Sequence, residues 1–346
     1  MRFFRRDPGE PQAPTDFWTW WPGARDRIAE AIESGGFNQP LIGEISKAVS
    51  TIDAGMAWEL GPGRTARHAF CISPEGNATL RQVALRWIAT APPVDATWEY
   101  HASKQAAPTL TVLQVANDHF GLEEMRAIAS WDTVRRRLDV RLWHPQFDRA
   151  PQPVRLQVGF VFLDNLLGEE DVERWIGQID LLEAPTGGRT PDELKAELER
   201  RKLESSGDDT WVVGERTDED GRTTIVLADA ALKRIDHPFV DHHVTIQQLF
   251  GAERMPNDAE AEQLNAEEDD FLRRLGDLAI LAGRVTAAGS RTLHFVAEDP
   301  DRMRPAIDSW AQGLTDSLSP GLPQRRLKVN FVRDMDWTFQ RDLGIR

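Results

Sequence analysis

The sequence predicts an α+β protein of two domains, each with mostly antiparallel sheets and helices packed on one face. Short alternating strand patterns are joined by turns, and several segments show the 3.6-residue period of amphipathic helices. A charged stretch separates two complete series of strands and helices. The length of 346 residues suits two domains of about 150 residues each.

Helix and strand patterns alternate through the first half of the chain. Residues 1–14 are charged and rich in proline, and we expect a disordered arm there. The predicted N-terminal domain covers residues 15–185. Its expected helices are DFWTWWPGARDRIAEAIESGG, QPLIGEISKAVSTI and NATLRQVALRWIATAPP, and its expected strands include MAWEL, ARHAFCIS, RRLDVRLW and the apolar run VRLQVGFVFLD.

Two further stretches of this domain have structural and functional interpretations. Glu169, Glu170 and Asp171 follow a glycine and favour a helix N-terminus, although a carboxylate pair for acid–base chemistry is the alternative. The three tryptophans of DFWTWW suit a helix staple or an anchor between domains, and a ligand-stacking platform is the alternative.

The character of the chain changes after residue 184. The segment EAPTGGRTPDELKAELERRKLESSGDD is charged and contains a capping box formed by Thr190 and Glu193, with Pro191 at the first helical position. We therefore predict a charged helical linker over residues 186–208 and limited proteolysis within it.

The predicted C-terminal domain, residues 209–346, opens with a hairpin around Asp220 and Gly221. A strand, a long helix capped by Asn257, a second hairpin, a helix, a strand and a short closing helix follow, in the segments HHVTIQQLF, NDAEAEQLNAEEDDFLRRLGDLAI, GRVTAAGSRTLHFVAED, PDRMRPAIDSWAQGL, RLKVNFV and DWTFQRDL. This order fits a ferredoxin-like arrangement.

Composition limits the classes of function. The net charge of −15 disfavours a nucleic-acid partner. The single cysteine, Cys71, excludes a disulfide within the chain and suits the reducing cytoplasm. We expect no signal peptide or membrane span, because no apolar run approaches the ~20 residues that a spanning helix needs. No cofactor-binding or catalytic motif is present, so we predict no cofactor and no catalytic residue.

The stretch HPFVDHHV has two interpretations. It resembles the Asp-His-His motif of a large phosphoesterase superfamily, and a divalent metal site would use the residues Asp236, His237, Asp241, His242, His243 and Asp334. The companion motifs of that superfamily are missing, and the period of a strand places His242 and His243 on opposite faces. The leading interpretation is a polar turn that enters a strand, with Asp334 or Asp336 capping the last helix.

An acidic helix face is the predicted interaction surface. The run Glu267, Glu268, Asp269 and Asp270 lies on the helix whose apolar face is formed by Leu264, Phe271, Leu275 and Leu278. It is either a solvated face or a docking surface for a basic protein.

Several segments resemble the bacterial family catalogued as domain of unknown function 695. They are LDNLLGEEDVERWIGQID, RMPNDAEAEQLNAEEDDF, GRVTAAGSRTLHFVAED and VRDMDWTFQRDL, the last with Phe339 where the family's Asp-x-Asp-Trp motif is expected to continue to a tyrosine. The resemblance extends from about residue 17 to 344. It implies a cytoplasmic α+β protein with a C-terminal part similar to the regulator of ribonuclease E activity B, and it transfers no catalytic residues.

The leading functional hypothesis is a non-catalytic regulatory or protein-interaction module with a basic protein partner. The alternatives are a metal-dependent hydrolase that uses the Asp/His cluster at 236–243 and a small-molecule binder with a tryptophan-lined pocket.

Overall fold

The computed structural model describes residues 15–115, 118–184, 187–205, 210–217, 219, 221–250, 254–316 and 326–345. These residues form two compact units. The first comprises the described residues up to 131 and from 137 to 204, and the second comprises residues 132–136 and the described residues from 205 onward.

The first unit combines six helices with eight strands among its described residues. In chain order they are α1 Thr15–Glu33, α2 Gln39–Ser50, β1 Ala57–Pro62, β2 His68–Ser73, α3 Ala78–Ala89, β3 Trp98–His101, β4 Val112–Val115, β5 Asp118–Gly121, β6 Arg126–Asp132, β7 Arg137–Trp143, α4 Gln152–Leu167, α5 Glu169–Trp175, β8 Ile176–Leu181 and α6 Pro191–Glu204. Side-chain caps begin two of the helices, because Asn38 and Asn77 accept hydrogen bonds from the first backbone N–H groups of α2 and α3.

Small sheets organise the first unit around two apolar clusters. The sheets have the orders β1-β2-β3, β4-β5 and β6-β7-β8. One cluster joins α1, α2 and α3 to the first sheet through Trp21, Phe70 and Trp98, and the other joins α4 to the third sheet through Leu138 and Phe162. In the sheet of order β1-β2-β3, β1 is an edge strand.

The run VRLQVGFVFLD is helical, so the strand prediction is wrong. It lies within the 16-residue helix α4, which has proline in its first turn. Val158 and Phe162 are buried at helical spacing. A short apolar run does not by itself distinguish a buried strand from a buried helix, and here packing selects the helix.

The predicted linker contains a helix that belongs to the first unit. Thr190 and Glu193 make the expected hydrogen bonds at the start of α6. Leu194 and Leu198 are fully buried in the same apolar cluster as Leu138. Residues 191–204 are therefore part of the packed first unit, which revises the prediction of a separate linker over 186–208.

The second unit contains a six-stranded antiparallel sheet. Its described elements are β9 Trp211–Thr217, β10 Thr223–Asp229, β11 His242–Leu249, α7 Asp258–Leu275, β12 Ile280–Ala287, β13 Ser290–Ala297, α8 Arg304–Asp316, β14 Arg326–Arg333 and α9 Phe339–Asp342. The strand order is β14-β11-β13-β12-β10-β9. The hairpin predictions are confirmed, because β9 pairs with β10 and β12 with β13, although Asp220 lies outside the described residues.

Apolar side chains on the two faces of this sheet form two clusters. Val244, Ile246 and Phe295 pack with Phe271 of α7 and Trp310 of α8. We call residues 334–345 the closing segment. On alternate strand positions, side chains that include Ala228, Ala282 and Val296 form a second cluster with Trp337, Phe339 and Leu343 of this segment. The closing segment thus covers sheet positions that α7 and α8 do not.

From β11 to β14 the elements follow the order β-α-β-β-α-β, with β13 between β11 and β12 and with β14 at the edge. That element order is the one that the ferredoxin-like prediction requires, and β10 and β9 extend the sheet beyond β12. The α+β class with mostly antiparallel sheets is confirmed. The ferredoxin-like assignment itself stays a prediction. Among the described residues, no helix has the length and apolarity needed to cross a membrane.

Candidate functional site

The histidine-rich stretch leads into β11, the second strand from one edge of the six-stranded sheet. His242 and His243 are the first residues of β11, which pairs with β13 on one side and β14 on the other. His242 Nδ1 lies 2.8 Å from Asp241 Oδ1, but the orientation of the two groups does not make a hydrogen bond. Asp241 Oδ2 accepts a hydrogen bond from Arg333 Nε at 3.1 Å. The carboxylate of Asp241 therefore interacts with a cation of β14.

His243 points toward the closing segment. Its Nε2 lies 3.1 Å from His294 Nδ1 on β13, and its ring stacks on Phe339 with centroids 4.2 Å apart. Burial lowers the pKa of His243 below its ordinary value, against the opposing effect of nearby carboxylates. Burial, reinforced by His243, lowers the pKa of His294 to about 4. Both imidazoles are therefore neutral near pH 7 and serve as packing surfaces.

His237 packs against a second aromatic ring of the closing segment. Its ring stacks on Trp337 at 6.1 Å, and burial lowers its pKa. Trp337 is fully buried and donates its indole N–H to the Val240 carbonyl at 2.8 Å. The φ angle of Trp337 is 51°, a left-handed conformation that is costly for a bulky side chain. Packing of the indole and its hydrogen bond compensate for that strain.

Asp334 stabilises the last helix, as the capping interpretation predicted. Its carboxylate accepts hydrogen bonds from the backbone N–H groups of Thr338 and Phe339, at the start of α9. Its own N–H donates to the Asp241 carbonyl at 2.8 Å. Asp334 thus connects the closing segment to β11 rather than offering a metal ligand.

The structure does not assemble the alternative metal site. Asp236 ends a short 3₁₀ turn before His237. His237, Asp241, His243 and Asp334 are engaged in the packing and hydrogen bonds described above, and His242 lies beside Asp241 without a hydrogen bond between them. Across the described ranges, no group of three or more His, Cys, Asp and Glu side chains is placed to hold a metal ion. The hydrolase alternative has no ligand set in this part of the chain.

The acidic face of α7 is smaller than the sequence predicted. The capping box of Asn257 and Glu260 is confirmed, and Leu264, Phe271 and Leu275 are buried as expected. Glu268, however, is only 5% exposed. It pairs with Arg284 and Arg291 of the sheet beneath the helix, at 3.1 and 3.3 Å. The prediction that Glu268 belongs to an open docking surface is therefore wrong.

The remaining carboxylates of the predicted surface differ in their surroundings. Glu267 accepts hydrogen bonds from Gln248 and Gln263. Asp270 pairs with Arg274 at 2.7 Å and with Arg273. Asp269 is exposed. The exposed acidic stripe of α7 consists of Asp258, Glu262 and Asp269.

The N-terminal tryptophans are core residues. Trp21 is buried and donates its indole N–H to the Tyr100 hydroxyl at 2.8 Å. Trp18 stacks on Trp87 at 4.6 Å and donates to its carbonyl. Neither ring forms a ligand-stacking platform, and both anchor α1 to the rest of its own unit.

An apolar groove lies beside the edge strand β1. This β1 groove is a cavity of about 630 Å³ lined by Ile32, Phe37, Trp58, Leu60, Gly61, Pro62, Arg67 and His68. Trp58 stacks on Phe70 at 6.2 Å and donates its indole N–H to Ser46 at 3.1 Å, so its ring is held in place. Glu33 accepts from Arg67 at 2.6 Å and lies 3.3 Å from His68. Arg67 and His68 are the charged and polar residues of an otherwise apolar lining, and Glu33 contacts both of them.

Sequence reasoning missed this groove. The alternation of Trp58, Leu60 and Pro62 places them on one face of β1, and that signal is present in the sequence. Nothing local, however, brings Ile32 and Phe37 of the α1–α2 region against this face.

Most of the second unit matches the model of one catalogued family. Residues 209–343 match the model described as a family of unknown function, DUF695. The resemblance predicted from the C-terminal motifs is thus confirmed for this region, which we call the DUF695 region. No curated protein and no solved structure matches the chain. For residues 17–208 the resemblance stays a prediction.

The match gives the histidine cluster its context. The stacking of His237 and His243 on Trp337 and Phe339 lies within the DUF695 region. So does the Asp-x-Asp-Trp motif that starts at Asp334. In this chain those residues join the closing segment to the sheet.

Proposed function

We propose that this chain is a non-catalytic interaction module that binds an extended apolar segment of a partner protein in the β1 groove. The observation that supports the proposal is the combination of an aromatic-walled cavity of about 630 Å³ with an edge strand. A segment that pairs with a sheet edge gains main-chain hydrogen bonds, and pockets for its alternate side chains provide selectivity.

The geometry of β1 suits such pairing. Its one neighbour in the sheet is β2, so within the described residues no strand pairs with its other side. Pro62 at the end of β1 is compatible with an edge position, where a missing N–H is tolerated. Trp58 and Leu60 are only partly buried and line the groove. A partner's apolar side chains would cover them.

The chemistry of the DUF695 region supports a non-catalytic role. His237 and His243 pack against aromatic rings, and Asp334 and Asp241 bind backbone or arginine groups. These groups, which sequence reasoning considered for catalysis, hold the closing segment in place. A regulatory role, bacterial origin and a cytoplasmic location are parts of the same proposal.

We further propose that the partner is a basic protein and not a nucleic acid. A net charge of −15 attracts basic partners and raises their association rate. The acidic stripe of Asp258, Glu262 and Asp269 is the surface on which such attraction would act.

Selection of peptides from a random display library on the whole chain tests the groove. We expect selected peptides to carry alternating apolar residues and to lose binding to Leu60→Asp and Phe37→Ala. Val94→Asp serves as the matched control, because Val94 is exposed and does not line the groove. Peptide binding should also slow amide exchange in β1.

Circular dichroism melting of each variant separates loss of the groove from loss of the fold. Phe37→Ala is the milder change, because it leaves the backbone and side chains of β1 intact. Selected peptides that bind the folded Leu60→Asp and Phe37→Ala variants as tightly as Val94→Asp would contradict the proposal.

A further inference from the structure

A buried carboxylate organises the loop after β1. Glu99 of β3 is 4% exposed. It accepts backbone hydrogen bonds from Arg64 at 2.8 Å, Thr65 at 2.7 Å and Ala66 at 2.9 Å. The Thr65 hydroxyl and His101 Nε2 also contact it, at 2.7 and 3.0 Å.

These hydrogen bonds stabilise the charged form of the Glu99 carboxylate. Burial by itself would raise the pKa of Glu99, but the hydrogen bonds from the loop N–H groups and from His101 outweigh burial and hold the pKa well below its usual range. Glu99 is therefore ionised at neutral pH, and five donors share its charge. A side chain at Gly63 would collide with the Ala66 carbonyl, so the tight loop also requires that glycine.

Two cationic side chains line the cavity next to this loop. The cavity has a volume of about 230 Å³, and its lining includes Arg64 and Lys195 together with Glu99 and His101, which are hydrogen-bonded to each other. Arg64 and Lys195 are exposed, and within the described part of the chain neither has a carboxylate partner. Arg67, three residues after Arg64, is by contrast paired with Glu33. The interaction of His101 with Glu99 fixes the orientation of the imidazole.

We propose that this cavity binds a small anion through a phosphoryl group, which Arg64 and Lys195 contact. A guanidinium presents a planar fork that matches phosphate oxygens, and a lysine ammonium adds a point charge. The several N–H donors of a guanidinium and an ammonium suit the three oxygens of a phosphoryl group better than the two oxygens of a carboxylate. The volume of about 230 Å³ restricts the ligand to a small molecule.

The position of the donors supports the assignment. His101 follows Glu99 on β3, Arg64 belongs to the loop that Glu99 holds, and Lys195 lies on α6. The Glu99 carboxylate thus positions the loop that carries Arg64, while hydrogen bonds from that loop and from His101 compensate its own charge. In a chain with 41 basic and 56 acidic residues, cations without acidic partners at one cavity indicate affinity for an anion from solution.

Isothermal titration calorimetry with inorganic phosphate at low ionic strength tests the proposal on the whole chain. We expect saturable one-site binding. Arg64→Gln and Lys195→Gln should each weaken it by roughly tenfold, the equivalent of about 1.4 kcal/mol. Lys47→Gln removes the same charge from an exposed position on α2 that does not line the cavity, and it should bind phosphate as the unmodified chain does.

Two comparisons complete the test. His101→Gln should weaken phosphate binding less than Arg64→Gln does, because the imidazole N–H donates to Glu99 and not to the ligand. Succinate should compete poorly, and equal binding of succinate would overturn the phosphoryl assignment. Absence of saturable phosphate binding, or the same Kd for Lys195→Gln and Lys47→Gln, would overturn the site itself. None of these outcomes depends on peptide binding in the β1 groove.

Discussion

Glu268 and Asp269 are neighbours on α7, yet the fold gives them opposite surroundings. Glu268 is 5% exposed and contacts Arg291, which is also 5% exposed, together with Arg284. Asp269 is exposed. The rotation of about 100° between consecutive helical residues separates the two side chains. Only the one that faces the sheet meets the two arginines.

We predict that Glu268→Gln lowers the free energy of unfolding by about 3 kcal/mol, because it leaves a buried arginine without its counter-charge. Asp269→Asn, on the next residue, should change it by less than about 0.5 kcal/mol. Urea denaturation of both variants measures the difference. Equal effects would show that the Glu268–Arg291 pair does not stabilise the fold.

Charge reversal on α7 can test whether the exposed acidic stripe binds a basic partner, provided that the Glu268–Arg291 pair is left intact. Charge reversal at Glu268 would place a third positive charge beside the buried Arg291 and the partly buried Arg284, so loss of partner binding would report unfolding. Charge reversal at Asp258, Glu262 and Asp269 changes the exposed stripe without that effect.

The stability of the DUF695 region should fall in mild acid. His294 has a pKa lowered by burial to about 4, whereas an unfolded histidine titrates near about 6.5. Between these values the unfolded chain binds more protons, so the free energy of unfolding decreases as pH falls through the window. Each unit by which the pKa is lowered contributes at most about 1.4 kcal/mol.

Chemical denaturation across this pH window measures the effect. His294→Gln should flatten the pH dependence, because it removes the group that the fold keeps neutral. His119→Gln is the control, since His119 is exposed on β5. A His294→Gln profile as steep as that of the unmodified chain would contradict the interpretation.

At the scale of single elements, tertiary packing explains why α4 is a helix and why α6 belongs to the first unit. α4 is a 16-residue helix where an apolar run suggested a strand. α6 is a charged helix, and two of its three leucines, Leu194 and Leu198, are buried in the first unit. Both outcomes depend on apolar surface that other elements provide.

We predict that Leu194→Ala destabilises the first unit by about 2–5 kcal/mol, the usual cost of emptying a fully buried leucine site. Leu203→Ala, on the same helix, should have an effect below about 0.5 kcal/mol, because Leu203 is 82% exposed. Thermal denaturation of both variants tests whether α6 is packed or is a free connector. A negligible effect of Leu194→Ala would restore the linker interpretation.

At the scale of the whole molecule, the chain consists of two units with separate apolar clusters. The second unit places β11 to β14 in one antiparallel sheet and continues it with β10 and β9. Sheet pairing between strands distant in sequence, such as β11 with β14, makes this unit depend on its whole length. The DUF695 match covers nearly all of it.

We expect limited proteolysis to separate the two units at a point beyond α6. Residues 191–204 should remain with the N-terminal fragment, because a helix with buried leucines is poorly accessible to a protease. Mass spectrometry of the fragments locates the cut. A first cut between residues 187 and 200 would show that α6 opens readily.

Local sequence signals predict the α+β class, the capping box at Asn257 and Glu260, the hairpin of β12 and β13, and the capping role of Asp334. All of these depend on signals within a few residues: a repeat period, a cap or a turn. Such signals are read from adjacent positions, and their physical cause is local hydrogen bonding and side-chain alternation.

Four other features depend on contacts between distant parts of the chain: the burial of Glu268, the helical state of α4, the contacts of His243, and the position of Arg64 and Lys195 at one cavity. Each depends on residues that are distant in the chain and meet only when sheets and helices pack. The sequence of an isolated segment does not show which other part of the chain will pack against it. The exposure of a side chain, and with it its charge and chemistry, is therefore settled by the fold.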